Sequence, residues 1–101
     1  MREKELRAAL RVPVLFQVRI RPEGLSASFY GQCTDLSVTG MTVRSSFVPR
    51  PNETLEIHAV QPAVGRERAR VFAAKVQVVR CHELEAGTLY ELGLCIREIL
   101  S

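Results

Sequence analysis

The chain has 101 residues, 47% of them hydrophobic, with 14 basic and 11 acidic side chains and a formal charge of +3. That is enough for one domain with a modest core, and the charge falls well short of a duplex-binding surface. Arginine supplies nearly all of the basic side, 12 Arg against 2 Lys. A guanidinium is a planar fork suited to phosphates and base edges, although a GC-rich coding sequence is a sufficient cause of most of that bias.

Residues 1–10, MREKELRAAL, are charged and carry no apolar face of their own. They are expected to form a flexible N-terminal arm ahead of a folded unit spanning residues 11–101. The segment is unlike a signal peptide, and no apolar run reaches transmembrane length, so a cytoplasmic protein is expected. Arg7 and Arg11 stand four apart. That spacing puts them on one side of the chain whether it is helical or extended.

From Arg11 to Arg21, Val12, Val14, Phe16, Val18 and Ile20 alternate with other residues, the period of a strand. Pro22-Glu23-Gly24 reads as a turn. Leu25 to Leu36 is expected as a second strand, with Ala27, Phe29, Gly31 and Cys33 on one face and Gly31 marking a bend or bulge. Asp35 to Gly40, DLSVTG, breaks the alternation, and Gly40 is expected to take a positive φ in a sharp turn. A short third strand at Met41–Arg44 and a loop with Pro49, Pro51 and Asn52 follow. A fourth strand is expected at Leu55–Ala59, a fifth at Val71–His82 and a sixth at Tyr90–Ile99. Six strands with turn chemistry between them predict an all-β fold, a small six-stranded antiparallel, split or Greek-key-like barrel. Cys33, Cys81 and Cys95 form no CxxC pair and fall within strands, so buried free thiols in a reducing compartment are expected.

The chemistry concentrates in Arg7, Arg11, Asp35, Ser37 and Gly40. Guanine presents O6 and N7 acceptors that an arginine fork satisfies with two bonds. It also presents N1–H and N2–H donors that an ionised carboxylate accepts together. Adenine reverses the pattern at position 6, so Arg with Asp selects guanine. A second arginine, a serine hydroxyl and open backbone N–H groups beside a glycine suit phosphates. Either half of this set alone is ordinary surface or turn chemistry. Both halves in this order, within an all-β chain, point to a guanine nucleotide.

Arg7-x-x-x-Arg11 followed by Asp35-x-Ser37-x-x-Gly40 resembles the paired signature of PilZ domains. RVPVLFQVRI is similar to the first strand of that family, and LYELGLCIREI to its closing strand, Gly93 included. The resemblance implies a β-barrel that binds the bacterial second messenger cyclic di-GMP without catalysing a reaction. It implies that Arg7 and Arg11 contact guanine and phosphate, while Asp35, Ser37 and Gly40 form the opposite wall. Ligand would order the arm and change a surface read by a protein partner or a fused domain. The family's frequent helix after the last strand has no counterpart before Ser101.

Two other classes compete. A catalytic site is not expected, because Cys81 and His82 are adjacent and point to opposite faces, and no metal-ligand spacing appears. Small barrels also bind single-stranded nucleic acid through stacking aromatics, for which Tyr30 is the exposed candidate. A PilZ-like protein-interaction barrel without nucleotide binding is the remaining alternative.

Overall fold

The computed structural model describes residues 12–61, 65–66, 68 and 70–100. The expected arm at residues 1–10, and with it Arg7 and Arg11, lies outside them. Six strands run through the described residues and no helix does: β1 (Val12–Pro22), β2 (Phe29–Leu36), β3 (Gly40–Ser45), β4 (Thr54–Gln61), β5 (Arg70–Glu85) and β6 (Leu89–Ile99). They close into a barrel in the order β1-β2-β3-β6-β5-β4, with every neighbouring pair antiparallel. Two three-stranded meanders therefore face each other, joined by the β3–β4 connection. Closure gives the strands neighbours on both sides and removes the unpaired edges of an open sheet.

Period-two alternation puts Val18 and Ile20 of β1 inside, with Met41 and Val43 of β3 and Leu55, Ile57 and Ala59 of β4. Ala74, Val76 and Val78 of β5 meet Leu92 and Leu94 of β6 in the same core. Aliphatic residues fill it, as a sequence without tryptophan requires. Phe47, in the β3–β4 connection, stacks on Phe29 with ring centroids 4.5 Å apart. The Glu53 carbonyl accepts the Val78 N–H at 2.9 Å and ties the same connection to β5.

Four expectations need correction. Leu25 to Ser28 is not strand; the Leu25 N–H closes a turn on the Pro22 carbonyl at 3.2 Å and pairing starts only at Phe29. Phe29 is 37% exposed because it ends the strand and packs on Phe47, outside the continuous core. Gly31 is not the bulge. It lies where β2 and β3 approach so closely that a Cβ would stand 2.5 Å from the Arg44 carbonyl oxygen. Of the three thiols only Cys33 is buried. Cys81 is exposed although it pairs with Leu92, because the β5–β6 hairpin is longer than its neighbours and runs to a turn closed by Thr88 N–H on the Glu85 carbonyl, 3.0 Å.

Candidate nucleotide site

Two of the bulges in the barrel set the faces of Asp35 and Arg80. In β2, Cys33 pairs with Val43 and Asp35 with Thr42, so two residues of β2 advance against one of β3. Cys33 points inward, and simple alternation would send Asp35 inward as well. The extra residue, Thr34, turns Asp35 outward beside Thr42 instead. In β5, Val78 pairs with Leu94 and Arg80 with Gly93, again two against one. Val78 is in the core and Val79 is 57% exposed. The extra residue Val79 thereby turns Arg80, which shares the inward parity of Val78, to the outside.

The register then lines up one row across the barrel: Pro13, Asp35, Thr42, Gly93 and Arg80, on β1, β2, β3, β6 and β5. Adjacent strands lie about 4.8 Å apart, so Asp35 and Gly93 are roughly 10 Å apart along this row. Between them Thr42 is only 4% exposed despite its outward parity. The next outward row is charged. Glu91 receives the Arg44 guanidinium at 3.2 Å and lies 3.6 Å from the His82 ring.

Ser37 and Gly40 form the turn that leads from Asp35 into β3. The Ser37 N–H donates to the Gly40 carbonyl at 2.8 Å. The Gly40 and Thr39 N–H groups donate to the Ser37 hydroxyl at 3.1 and 3.3 Å. That hydroxyl also lies 3.3 Å from the Gly40 carbonyl and from the Thr39 hydroxyl. Ser37 therefore holds its own turn, and among residues 37–40 the Val38 N–H alone makes no hydrogen bond among the described residues. Gly40 does not have the expected positive φ. It is required for a different reason: a Cβ there would stand 2.5 Å from the Leu94 carbonyl oxygen, where β3 crosses against β6.

Behind the site, the Cys33 thiol donates to the Asp35 carbonyl at 3.2 Å. Burial, reinforced by the Asp35 carboxylate, pushes this thiol up to about 11. It stays protonated at physiological pH and acts as a core residue that anchors the Asp35 backbone. Thr42, Gly93 and Arg80 share the row with Asp35 but were not grouped with it by sequence reasoning. The register that unites them depends on the two bulges, and no residue type announces either one.

The described residues thus define a small closed barrel with a polar row and a tight turn on its outer wall, a binding architecture. The chain belongs to the PilZ domain family, whose model matches residues 5–100; PilZ domains are in general effector domains that bind cyclic di-GMP. Among solved structures it is similar to the Bacillus subtilis inhibitor of motility MotI/DgrA, with TM-score 0.72 and 19% identity over 91% of this chain and 43% of that one. It is also similar to the PilZ domain of CeSA from a cellulose-synthesizing bacterium, with TM-score 0.61 and 17% identity over 86% of this chain and 79% of that one. At such identities these neighbours support the fold alone. The chain spans less than half the length of the MotI/DgrA chain. No curated protein matches the sequence.

Proposed function

We propose that this chain is a non-enzymatic cyclic di-GMP receptor of the cytoplasm, acting on a protein partner or a fused domain. The carrying observation is the outward Asp35 at the head of the Ser37–Gly40 turn, beside the low floor of Thr42 and Gly93. In this reading Asp35 accepts the N1–H and N2–H of a guanine. Ser37 and Gly40 shape the turn so that the Val38 N–H faces the ligand, in place of a direct phosphate bond from the serine. Arg7 and Arg11 supply the guanidinium forks to the O6/N7 edge and the phosphates. Binding orders the segment that carries them and presents a new surface.

Calorimetric titration with cyclic di-GMP, with GTP and cyclic di-AMP as controls, tests the reading. Micromolar binding, about −8 kcal/mol, with one or two ligands per chain and no response to the controls, is the expected outcome. Arg11→Ala and Asp35→Ala are each expected to abolish the heat while leaving the thermal transition cooperative. Unchanged affinity in either variant refutes the assignment of that residue.

A further inference from the structure

Arg80 is the functional group in the Asp35 row that the reading above leaves unused. It is exposed, and its guanidinium forms no hydrogen bond or ion pair among the described residues. An acidic partner is nearby, since Glu91 is the next outward residue of β6 beyond Gly93, but Arg44 and His82 occupy it. Instead, the guanidinium sits over Gly93. A Cβ built on that glycine would lie 3.0 Å from the Arg80 Cζ and 3.2 Å from both Nε and Nη2.

Those three distances fix the orientation. A point beyond the edge of a guanidinium is closer to its nitrogens than to the central carbon. Here the central carbon is the nearest atom, so the group presents its face to Gly93 and lies flat on the barrel wall. Glycine is what admits it, because any side chain at position 93 would lift it off. The opposite face is turned to solvent. A flat, outward-facing guanidinium is a shelf for an aromatic ring, held by stacking and by attraction of the cation to the π system.

We propose that Arg80 is a purine-stacking residue: the second base of a cyclic dinucleotide whose first base is read by Asp35 lies flat on its guanidinium. This deepens the cyclic di-GMP reading and rests on it. The spacing supports it. Asp35 and the guanidinium over Gly93 are about two strand spacings apart, roughly 10 Å, a distance one cyclic dinucleotide spans with its two bases. The bulge at Val79 supports it as well, since bulges re-aim side chains beside binding sites. Edge recognition at one end and face recognition at the other would fix the ligand's register along the row.

The test is calorimetric titration of the full chain with cyclic di-GMP at two salt concentrations, using wild type, Arg80→Ala, Arg80→Lys, Arg80→Tyr and Asp35→Ala. Stacking on a side chain is worth enough that its loss weakens binding about tenfold or more. Arg80→Ala is expected to show that loss. Arg80→Lys, which keeps the charge without the plane, is expected to lose nearly as much. Arg80→Tyr, which keeps a plane without the charge, is expected to return to within about threefold of wild type. Arg80→Ala binding within twofold of wild type, or Arg80→Lys binding like wild type while Arg80→Tyr does not, overturns the stacking role. Either result leaves the receptor reading intact provided Asp35→Ala still abolishes binding. No heat from wild type overturns the receptor reading and the shelf together.

Discussion

Gly40 and Gly93 lie on adjacent strands, two residues apart in register, and the structure predicts opposite responses to the same added methyl group. At Gly40 the new Cβ meets the Leu94 carbonyl oxygen at 2.5 Å. That atom is backbone, fixed by the β3–β6 ladder, and cannot swing aside. Relief requires β3 and β6 to separate at the end of their pairing, where Gly40 faces Cys95. Overpacking of this kind costs about 1–3 kcal/mol. At Gly93 the three atoms nearest the new Cβ all belong to the end of the Arg80 side chain, at 3.0 Å or more. That side chain rotates away at little cost, and alanine restricts the unfolded chain, a gain of about 0.4–1 kcal/mol. Gly93→Ala is therefore expected to be neutral or slightly stabilising, and Gly40→Ala to destabilise by about 2 kcal/mol. For a domain of this size the latter is a fall in melting temperature of roughly 8–16 °C. Thermal unfolding followed by circular dichroism, without ligand, reads both. Equal melting temperatures for wild type and Gly40→Ala, or an equal fall for the two variants, refute the close-approach account.

Ser37→Ala removes the acceptor of the Gly40 and Thr39 N–H groups, and a loss of about 1 kcal/mol is expected in the ligand-free melt, with Ser37→Thr recovering most of it; an unchanged melt shows that the hydroxyl does not hold the turn. Cys33 carries a pH dependence. Its thiol ionises near 9 in the unfolded chain and only near 11 in the fold, so the native state binds the extra proton between those values. Stability is complete below 9 and falls as pH rises towards 11, by about 2–3 kcal/mol. Urea midpoints at pH 8 and 10.5 are expected to converge in Cys33→Ala relative to wild type, and parallel shifts in both proteins refute the linkage. At pH 8 iodoacetamide is expected to label the exposed Cys81 well before the buried Cys33, as peptide mapping reports.

The strands were legible because alternation is a local signal. Val18 and Ile20, Leu55 and Ile57, and Leu92 and Leu94 each sit inside, where a period of two puts them. The signal fails where a residue is added or a strand outruns its neighbours. Cys81 looks like a core position from its surroundings in sequence, but it lies in a hairpin that extends past the strands flanking it. Phe29 has the same inward parity as Cys33, but its ring packs on Phe47, 18 positions further along the chain in the β3–β4 connection. The turn at Asp35–Gly40 was legible as a turn. Its inner logic was not, because a serine that bonds a phosphate and a serine that bonds its own turn are the same letter. In the sequence Gly40 looks like a conformational glycine, whereas the constraint is the Leu94 carbonyl, an atom more than fifty positions downstream that only pairing reveals.

The two bulges make the outer row a matter of counting. Deleting Thr34 or Val79 would leave every site residue present, in the same order, with almost the same composition. It would restore a regular ladder with Asp35 directly after inward Cys33 and Arg80 directly after inward Val78, so both would still face outward, whereas keeping the extra residue and losing the bulge would rotate them into the barrel. Among related barrels, a gap of one residue at Thr34 or Val79 is thus compatible with the same outward row. Two chains with identical motif letters carry opposite faces when their pairing differs, and the register of Asp35 against Thr42 and of Arg80 against Gly93 is the quantity to compare.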